Sequence, residues 1–314
     1  MKVIEYLEKS GKPLFSFEIL PPNRGGNIDS LIQVIEELVQ YKPPFIDVTS
    51  HAAHLVSING ETKKKRKRPG TLGICALIQK KYNIDAVPHV LCEGFTREET
   101  EDFVIDLSYV GVHNVLALRG DDIKYTKEVP IGRSVNKYAS ELVRQLTSMK
   151  RGIFLDDIIE AQPIDLCIGV AGYPEKHFAA PDIDTDINYL KAKVNAGASY
   201  VVTQMFFNNE DYFAFVDKCR SQGITVPIIP GLKVITTKKQ LETLPEIFNI
   251  VIPQELQDKI RKASKKKITE IGASWTSKQV EGLLRKGVPS IHFYVMQSPT
   301  PIHKVMRNLN GISQ

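Results

Sequence analysis

The chain has 314 residues, a net charge of +5 and 42% hydrophobic residues, which is the composition of a globular protein with one barrel-sized domain or two smaller ones. No segment approaches the ~18 apolar residues needed to cross a bilayer, and the charged N-terminus is unlike a secretory signal, so we expect a cytoplasmic protein without a membrane partner. The four cysteines form no CxxC pair, which excludes a disulfide scaffold and argues against a structural zinc site.

The positive charge comes from one segment, Lys63–Arg68, which contains six consecutive basic residues. The other 35 basic residues are balanced by 36 acidic residues. A nucleic-acid-binding protein usually spreads its basic residues over one face and interleaves aromatic ones, so we expect no nucleic-acid partner. Two interpretations of the segment remain open. It is either a solvated loop or a surface that attracts a polyanionic substrate.

Short apolar, β-branched runs along the chain predict eight strands, and helical patterns follow most of them. The predicted strands are Leu14–Leu20, Phe45–Thr49, Ala86–Cys92, Asn114–Arg119, Asp165–Ala171, Tyr200–Phe206, Val226–Leu232 and Ser290–Met296. The predicted helical regions are Ser30–Tyr41, Thr96–Val110, Ser134–Met149, Asp184–Ala196, Asn209–Gln222, Thr237–Leu244 and Pro253–Lys286. Thr96, with Glu99 three residues later, predicts a capping box at the start of its helix.

This alternation predicts an α/β fold, a (β/α)8 TIM barrel, formed by residues 1–314 as one catalytic domain. Several strands show little alternation of polar and apolar residues, as expected when both faces are buried. The alternative fold is a doubly wound open sheet, which usually has a glycine-rich turn after its first strand. No GxGxxG sequence follows a predicted strand, so the barrel is favoured.

The active site of a TIM barrel lies at the carboxyl ends of its strands, so polar residues at those positions are candidates. They are Glu18, Thr49, Ser50, His51, His89, Arg119, Asp121, Tyr173, His177 and Gln204. Glu18 lies among apolar residues, where burial should raise its pKa and suit it to act as a general acid. The alternative is a solvent-facing glutamate on an alternating strand.

Several candidates also have an ordinary structural interpretation. A lone histidine within a strand, such as His89, is more often a core residue than a ligand, and Arg119-Gly120-Asp121 is compatible with a simple turn. No HxH or carboxylate pattern accompanies His51, so we predict no metal. A metal-dependent TIM-barrel hydrolase that uses His51, His89 and Asp121 is the alternative enzyme.

Segments spread over nearly the whole chain resemble the methylenetetrahydrofolate reductase family, in the order that the family has them. They are Phe15–Glu18, Val87–His89, Leu116–Asp121, Ala171–His177, Thr203–Phe207 and His292–Tyr294. The resemblance implies an oxidoreductase, a TIM-barrel flavoprotein that reduces 5,10-methylenetetrahydrofolate to 5-methyltetrahydrofolate. It would use FAD and NADH or NADPH in ping-pong order and serve one-carbon metabolism and methionine biosynthesis.

The resemblance also implies roles for particular residues. Glu18 matches the proton donor, Asp121 a carboxylate that stabilises developing positive charge, and Gln204 the glutamine that binds the substrate. The implied flavin contacts are Thr49, His89, Arg119, Gly120, Asp121, Tyr138, Ala139, Tyr173, His177, Asp186 and Lys193. The implied partners are a folate, with or without a polyglutamate tail, and further copies of the chain in a homo-oligomer. The chain resembles the catalytic barrel alone, without the C-terminal regulatory domain of eukaryotic members.

Overall fold

The computed structural model describes residues 1–52, 54–58, 61–65, 67–120 and 129–310. Asp121 and Arg66 lie outside the described residues. The strands are β1 (Leu14–Ile19), β2 (Phe45–Val48), β3 (His54–Ile58), β4 (Glu61–Lys65), β5 (Asp85–Leu91), β6 (Asn114–Leu118), β7 (Cys167–Gly172), β8 (Tyr200–Thr203), β9 (Ile228–Ile229), β10 (Gly231–Leu232) and β11 (Ser290–Met296). The helices are α1 (Val3–Lys9), α2 (Asp29–Val39), α3 (Leu72–Tyr82), α4 (Arg97–Tyr109), α5 (Ala139–Met149), α6 (Ile183–Asn195), α7 (Asn209–Ser221), α8 (Gln240–Phe248), α9 (Gln254–Lys262), α10 (Lys265–Arg285) and α11 (Thr300–Asn310).

Nine strands form a parallel sheet in the order β10-β11-β1-β2-β5-β6-β7-β8-β9. Strands β9 and β10 are two halves of one barrel strand, separated by Pro230, which has no N–H to donate to a sheet. The carbonyl oxygen of Pro230 accepts a hydrogen bond of 2.9 Å from the backbone N–H of His292. Because β1 also pairs with β11, the sheet closes nearly on itself. The TIM-barrel prediction is confirmed, and the doubly wound alternative is wrong.

The N-terminal end of the barrel is closed by α1. Val3 of this helix is fully buried in a cluster inside the barrel that includes Phe45 and Tyr200. The backbone N–H of Val3 donates a hydrogen bond of 2.8 Å to the side-chain oxygen of Asn114, which begins β6. The opposite end, where the strands terminate, therefore carries the cavity. Helix α1 was not predicted, because its seven residues are a short segment that includes three charged ones.

Local sequence signals explain several helix boundaries. The capping box at Thr96 is confirmed: its hydroxyl oxygen accepts from the backbone N–H of Glu99 at 3.2 Å, and the Glu99 carboxylate accepts from the backbone N–H of Thr96 at 2.7 Å. The predicted region Pro253–Lys286 is two helices, α9 and α10, because the chain becomes extended at Ala263 and Ser264. Among the helices of the described residues, none is long and apolar enough to cross a membrane.

The basic segment lies on an antiparallel hairpin of β3 and β4, which leads from the second barrel strand to α3. Lys63, Lys65 and Lys67 are exposed, but Arg68 is buried and its guanidinium donates to the carbonyl oxygen of Pro21. Arg68 therefore anchors the hairpin to the segment after β1, and the choice between a solvated loop and a surface that attracts a polyanion concerns the exposed lysines.

Candidate active site

A cavity of about 520 Å³ lies at the carboxyl ends of the barrel strands. Each barrel strand ends here, so side chains that are far apart in sequence meet around one space. Among the predicted site residues, those that line it are Glu18, Thr49, Ser50, His51, His89, Arg119, Gly120, Tyr173, His177 and Gln204. The structure thus brings together most of the predicted site, while Asp121 lies outside the described residues.

Two predicted residues, Asp186 and Lys193, lie behind the cavity wall instead of lining it. A carboxylate oxygen of Asp186 accepts from the backbone N–H of His177 at 2.9 Å. The ammonium of Lys193 donates to the carbonyl oxygen of Ala171 at 2.5 Å and lies 5.9 Å from the centre of the Tyr173 ring. Burial lowers the pKa of Lys193 to about 8. Both residues therefore support the wall that carries Tyr173 and His177.

Tyr138 and Ala139 lie at the start of α5, and neither lines the cavity. The Tyr138 side chain is 60% exposed. The backbone N–H of Tyr138 donates to the Glu141 carboxylate at 3.3 Å, and this hydrogen bond caps the first turn of α5.

Glu18 lies at the base of the cavity, near the end of β1, and is 7% exposed. Its carboxylate is 3.4 Å from Nε2 of His89 and 4.0 Å from Nε2 of His292. Burial acts to raise the pKa of Glu18, but the approach of His292 and the positive charge of His89 and Lys233 lower it below its ordinary value. The prediction that Glu18 has a raised pKa is therefore wrong, because the effect of three basic side chains exceeds the effect of burial.

Asp47 lies beneath Glu18 and is completely buried on β2. Its two carboxylate oxygens are 3.8 Å from Nε2 of His89 and 3.9 Å from Nδ1 of His292, and neither has a hydrogen-bond partner among the described residues. The hydroxyl of Ser16 lies 2.9 Å from Nδ1 of His292. Sequence reasoning missed Asp47 and His292 as site residues. A sequence pattern could have identified them: Asp47 lies two residues before Thr49, and His292 two residues before Tyr294. Residues two apart on a strand face the same side, and Thr49 and Tyr294 line the cavity.

Lys233 was also missed, and it completes the basic surroundings of Glu18. It follows β10, and its ammonium donates to the carbonyl oxygen of Tyr294 at 3.1 Å. The Tyr294 hydroxyl in turn donates to the carbonyl oxygen of Thr203 at 2.6 Å. Gly231 makes this close packing possible, since a Cβ there would lie 2.6 Å from the Tyr294 ring. The segment after β10 therefore places the Lys233 ammonium group at the cavity.

Several polar atoms of the cavity residues are buried without a hydrogen-bond partner in the described part of the chain. They are the Thr49 hydroxyl, Nδ1 of His51 and Nε of Arg119. Burial, followed by the charges of Arg68 and His89, lowers the pKa of His51 to about 4, so its ring is neutral at pH 7. Such unmet donors and acceptors suit a ligand that is rich in polar ring atoms and carries anionic groups.

The local backbone requires a glycine at Gly120. This residue has a φ of +108° in the left-handed region, and a Cβ there would lie 3.0 Å from Cβ of Glu93. No group of three or more His, Cys, Asp and Glu side chains within the described ranges is arranged to hold a metal ion. The unmet polar atoms of Thr49, His51 and Arg119 fit an organic cofactor with polar ring atoms, such as a flavin.

A parallel barrel that gathers a carboxylate, imidazoles and unmet polar groups at its open end has the architecture of an α/β-barrel enzyme. The model of the methylenetetrahydrofolate reductase family matches residues 2–310, and the chain belongs to this family of reductase enzymes.

Curated relatives of this family occur in bacteria and in eukaryotes. The chain is 32% identical to 5,10-methylenetetrahydrofolate reductase of Escherichia coli, over 92% of the chain and 88% of that protein. It is 31% identical to the enzyme of the same name from Pectobacterium carotovorum, over 92% and 87%. It is also 31% identical to methylenetetrahydrofolate reductase 1 of Schizosaccharomyces pombe, but it spans only 47% of that longer protein.

Solved structures show the same fold at low sequence identity. A protein from Clostridium thermocellum that binds two copies of 5-methyl-5,6,7,8-tetrahydrofolic acid superposes with a TM-score of 0.59 and 16% identity, over 99% of this chain and 98% of that one. Oxaloacetate acetylhydrolase superposes with a TM-score of 0.51 and 11% identity, over 97% of this chain and 82% of that one. These similarities support the barrel architecture alone.

Proposed function

We propose that the protein reduces 5,10-methylenetetrahydrofolate to 5-methyltetrahydrofolate with NADH or NADPH, and so supplies methyl groups for methionine biosynthesis. The family match over residues 2–310 carries this proposal. The folate bound by the structural neighbour from Clostridium thermocellum supports the substrate class. The cavity supports it further, because it offers both a carboxyl group for proton transfer and polar groups for orientation.

FAD is the proposed cofactor. Six residues that line the cavity would hold it: Thr49, His89, Arg119, Gly120, Tyr173 and His177. The further proposed contacts are Tyr138, Ala139, Asp186, Lys193 and Asp121. When bound, FAD supplies the hydride chemistry, accepting a hydride from NADH or NADPH and giving it to the folate. Burial lowers the pKa of His177 to about 4, so this residue would contact the cofactor as a neutral ring.

Glu18 is the proposed acid. The methylene bridge of the folate accepts a hydride only after its five-membered ring opens, and protonation of N10 promotes that opening. Because the basic neighbours of Glu18 favour its ionised form, it must receive a proton before it can protonate N10. His89, 3.4 Å away, and His292, 4.0 Å away, are the nearest sources. The carboxylate of Asp121 is proposed to stabilise the cation that ring opening creates.

Gln204 is the proposed substrate-orienting residue. Its side-chain oxygen accepts a hydrogen bond of 2.9 Å from the backbone N–H of Met205. This bond fixes the amide so that its NH₂ group is the part offered to a ligand. A pterin ring has several acceptor nitrogens and a carbonyl oxygen, so a fixed donor suits it.

The hairpin lysines are proposed to attract the polyglutamate tail of a folate. Lys67 lines the cavity, and Lys63 and Lys65 alternate with it along the same chain segment. Lys63, which is paired with Glu61 at 3.0 Å, and Lys65 lie two residues apart on β4, about 6.6 Å from each other, and Lys67 follows the strand. We further propose a cytoplasmic homo-oligomer, in keeping with four cysteines that are all free and buried.

The absorption spectrum of the purified protein tests the proposal. We expect the visible bands of an oxidised flavin, bleaching by NADH or NADPH in the absence of oxygen, and recovery of the bands on addition of methylenetetrahydrofolate. The nicotinamide that bleaches faster identifies the preferred donor. A protein that binds no flavin, or whose reduced flavin does not react with the folate, would contradict the proposed function.

A further inference from the structure

The interior of the barrel contains an unusual polar layer beneath Glu18. Branched apolar side chains usually fill the interior of a TIM barrel. Here the layer includes Ser16, Asp47 and His292, which are all completely buried. Asp47 is the most costly of them, because neither of its oxygens has a hydrogen-bond partner among the described residues. A carboxylate kept under such conditions calls for a functional explanation.

Asp47 is linked to Glu18 by two imidazoles. His89 lies between the two carboxylates, with Nε2 at 3.8 Å from Asp47 and 3.4 Å from Glu18. His292 connects them through its two ring nitrogens, with Nδ1 at 3.9 Å from Asp47 and Nε2 at 4.0 Å from Glu18. Both carboxylates therefore lie within about 4 Å of both rings, at separations where opposite charges attract strongly in a dry interior.

The other titratable groups that face Asp47 cannot balance its charge. The Tyr200 hydroxyl on β8 and the Cys75 thiol on α3 interact with it electrostatically, but burial raises the pKa of each group far above its ordinary value. Both groups therefore stay neutral at physiological pH. In the described part of the chain, the two imidazoles are the groups placed to carry positive charge next to Asp47.

The proposed reaction requires Glu18 to be protonated again in each turnover, and the two imidazoles beneath it can supply the proton. Glu18 gives one proton to folate N10 in each turnover, and a folate in the cavity covers its exposed side. We propose that Asp47 is a positioning residue, whose buried charge holds protons on His89 and His292 so that Glu18 is protonated from below. The proton leaves a ring nitrogen and binds a carboxylate oxygen of Glu18, and the ring regains a proton from water after the product departs. This inference rests on the proposed function.

The substitution Asp47→Asn tests it, because the amide keeps the shape and removes the charge. We expect the folate half-reaction to slow about tenfold or more, while the nicotinamide half-reaction stays within about twofold of wild type. Without the negative charge of Asp47, the neighbouring groups lose their protons more readily. The alkaline limb of the pH–rate profile for the folate half-reaction should therefore move to lower pH by about one unit. Because the two imidazoles offset the charge of Asp47, its removal is expected to lower the melting temperature of the flavin-loaded protein, so both half-reactions are measured at a temperature where the variant is fully folded.

Tyr200→Phe is the matched control, because it removes a buried hydroxyl that also has no hydrogen-bond partner in the described part of the chain, without changing charge. It should alter neither half-reaction nor the pH profile. An Asp47→Asn variant that fails to fold, or that slows both half-reactions alike where it is folded, would show a structural role and overturn the inference. An unshifted alkaline limb would overturn it too. A wild-type protein without a folate half-reaction overturns the proposed function itself, whereas an active wild type with an unaffected variant overturns only the role of Asp47.

Discussion

Glu18, near the end of β1, and Glu175, in the loop after β7, are both shielded from solvent, yet their pKa values move in opposite directions. Basic side chains surround Glu18 and lower its pKa despite burial. For Glu175, in the loop after β7, burial and the charge of Asp211 outweigh the hydrogen bond from Val251 and raise the pKa to about 7. Its carboxylate accepts from the backbone N–H of Val251 at 2.6 Å. Burial therefore does not decide the charge of a carboxyl group; the sign of its neighbours does.

The two environments suit different tasks. Glu18 is ionised at rest and lies beside imidazoles that can exchange protons with it. Glu175 is protonated in part of the molecules at neutral pH, and it connects the loop after β7 with the loop that contains Val251. We therefore expect substitutions at Glu18 to change chemistry and substitutions at Glu175 to change stability.

The largest expected effect is that of Glu18→Gln on the folate half-reaction. Loss of the acid should slow this step by ~10²–10⁴, whereas hydride transfer from the nicotinamide needs no carboxyl proton and should change far less. Stopped-flow measurement of each half-reaction separates the two. The same substitution at Glu175 is the matched control and should leave both rates unchanged. If Glu18→Gln slowed both steps alike, Glu18 would position the flavin, and the acid would be another residue.

Lys193→Ala extends the comparison to a buried cation. Lys193 supports the wall of Tyr173 and His177, and its charge is proposed to attract the flavin phosphates. We expect FAD retention to fall roughly tenfold, as for a lost charge-assisted hydrogen bond, without unfolding of the barrel. Released flavin fluorescence after ultrafiltration measures retention, and circular dichroism measures folding. Lys218→Ala, at an exposed lysine paired with Asp184, is the control. Unchanged FAD affinity would remove Lys193 from the site.

Replacement of the exposed hairpin lysines Lys63, Lys65 and Lys67 by serine tests charge outside the barrel. The buried Arg68 is kept, because it anchors the hairpin. We expect KM for a polyglutamylated folate to rise severalfold at low salt and much less at high salt, with a smaller change for the monoglutamate. Serine replacement of Lys265–Lys267, exposed at the start of α10, is the control. Equal effects on the two substrates would favour the solvated-loop interpretation.

The smallest expected effect is a pH-dependent change in stability at Glu175. Its pKa is about 7 in the folded protein and near 4.5 when unfolded, so the folded state holds the proton more tightly. That contribution to stability is complete below pH 4.5 and is lost as the pH rises through 7. Glu175→Gln removes the loss, so the variant should gain about 1 kcal/mol relative to wild type between pH 5 and pH 8, after allowance for solvent screening. Thermal melts across this range measure it, and a pH-independent difference would contradict the assigned environment.

Much of the fold could be predicted from sequence because the barrel strands are locally distinct. The apolar run Ser290–Met296 is a strand with the predicted bounds, and the Thr96 capping box forms as expected. Helix α3 was missed, since its apolar residues do not form a clear stripe on one side. The predicted strand Val226–Leu232 is interrupted at Pro230, where its two halves pair with different neighbours.

The site was harder to predict than the fold. Residues at strand ends, such as Thr49 and Gln204, could be identified because the barrel topology assigns them to one end. Asp47 and His292 could not, because a polar residue inside an apolar run has no sequence neighbour that reveals its partner. The pKa direction of Glu18 depends on side chains from β5, β11 and the segment after β10, which are brought together only by closure of the barrel.

Closure of the N-terminal end of the barrel by α1 has a consequence for how substrates reach the site. Val3 packs with Phe45 and Tyr200 at the N-terminal end of the barrel, and the cavity that carries the candidate site lies at the opposite end, where the strands terminate. Under the proposed function, the nicotinamide and the folate would bind in the same space, and an excess of either would exclude the other. We would then expect each half-reaction to be inhibited by the substrate of the other, and the relative abundance of the two molecules to limit the rate of methyl supply.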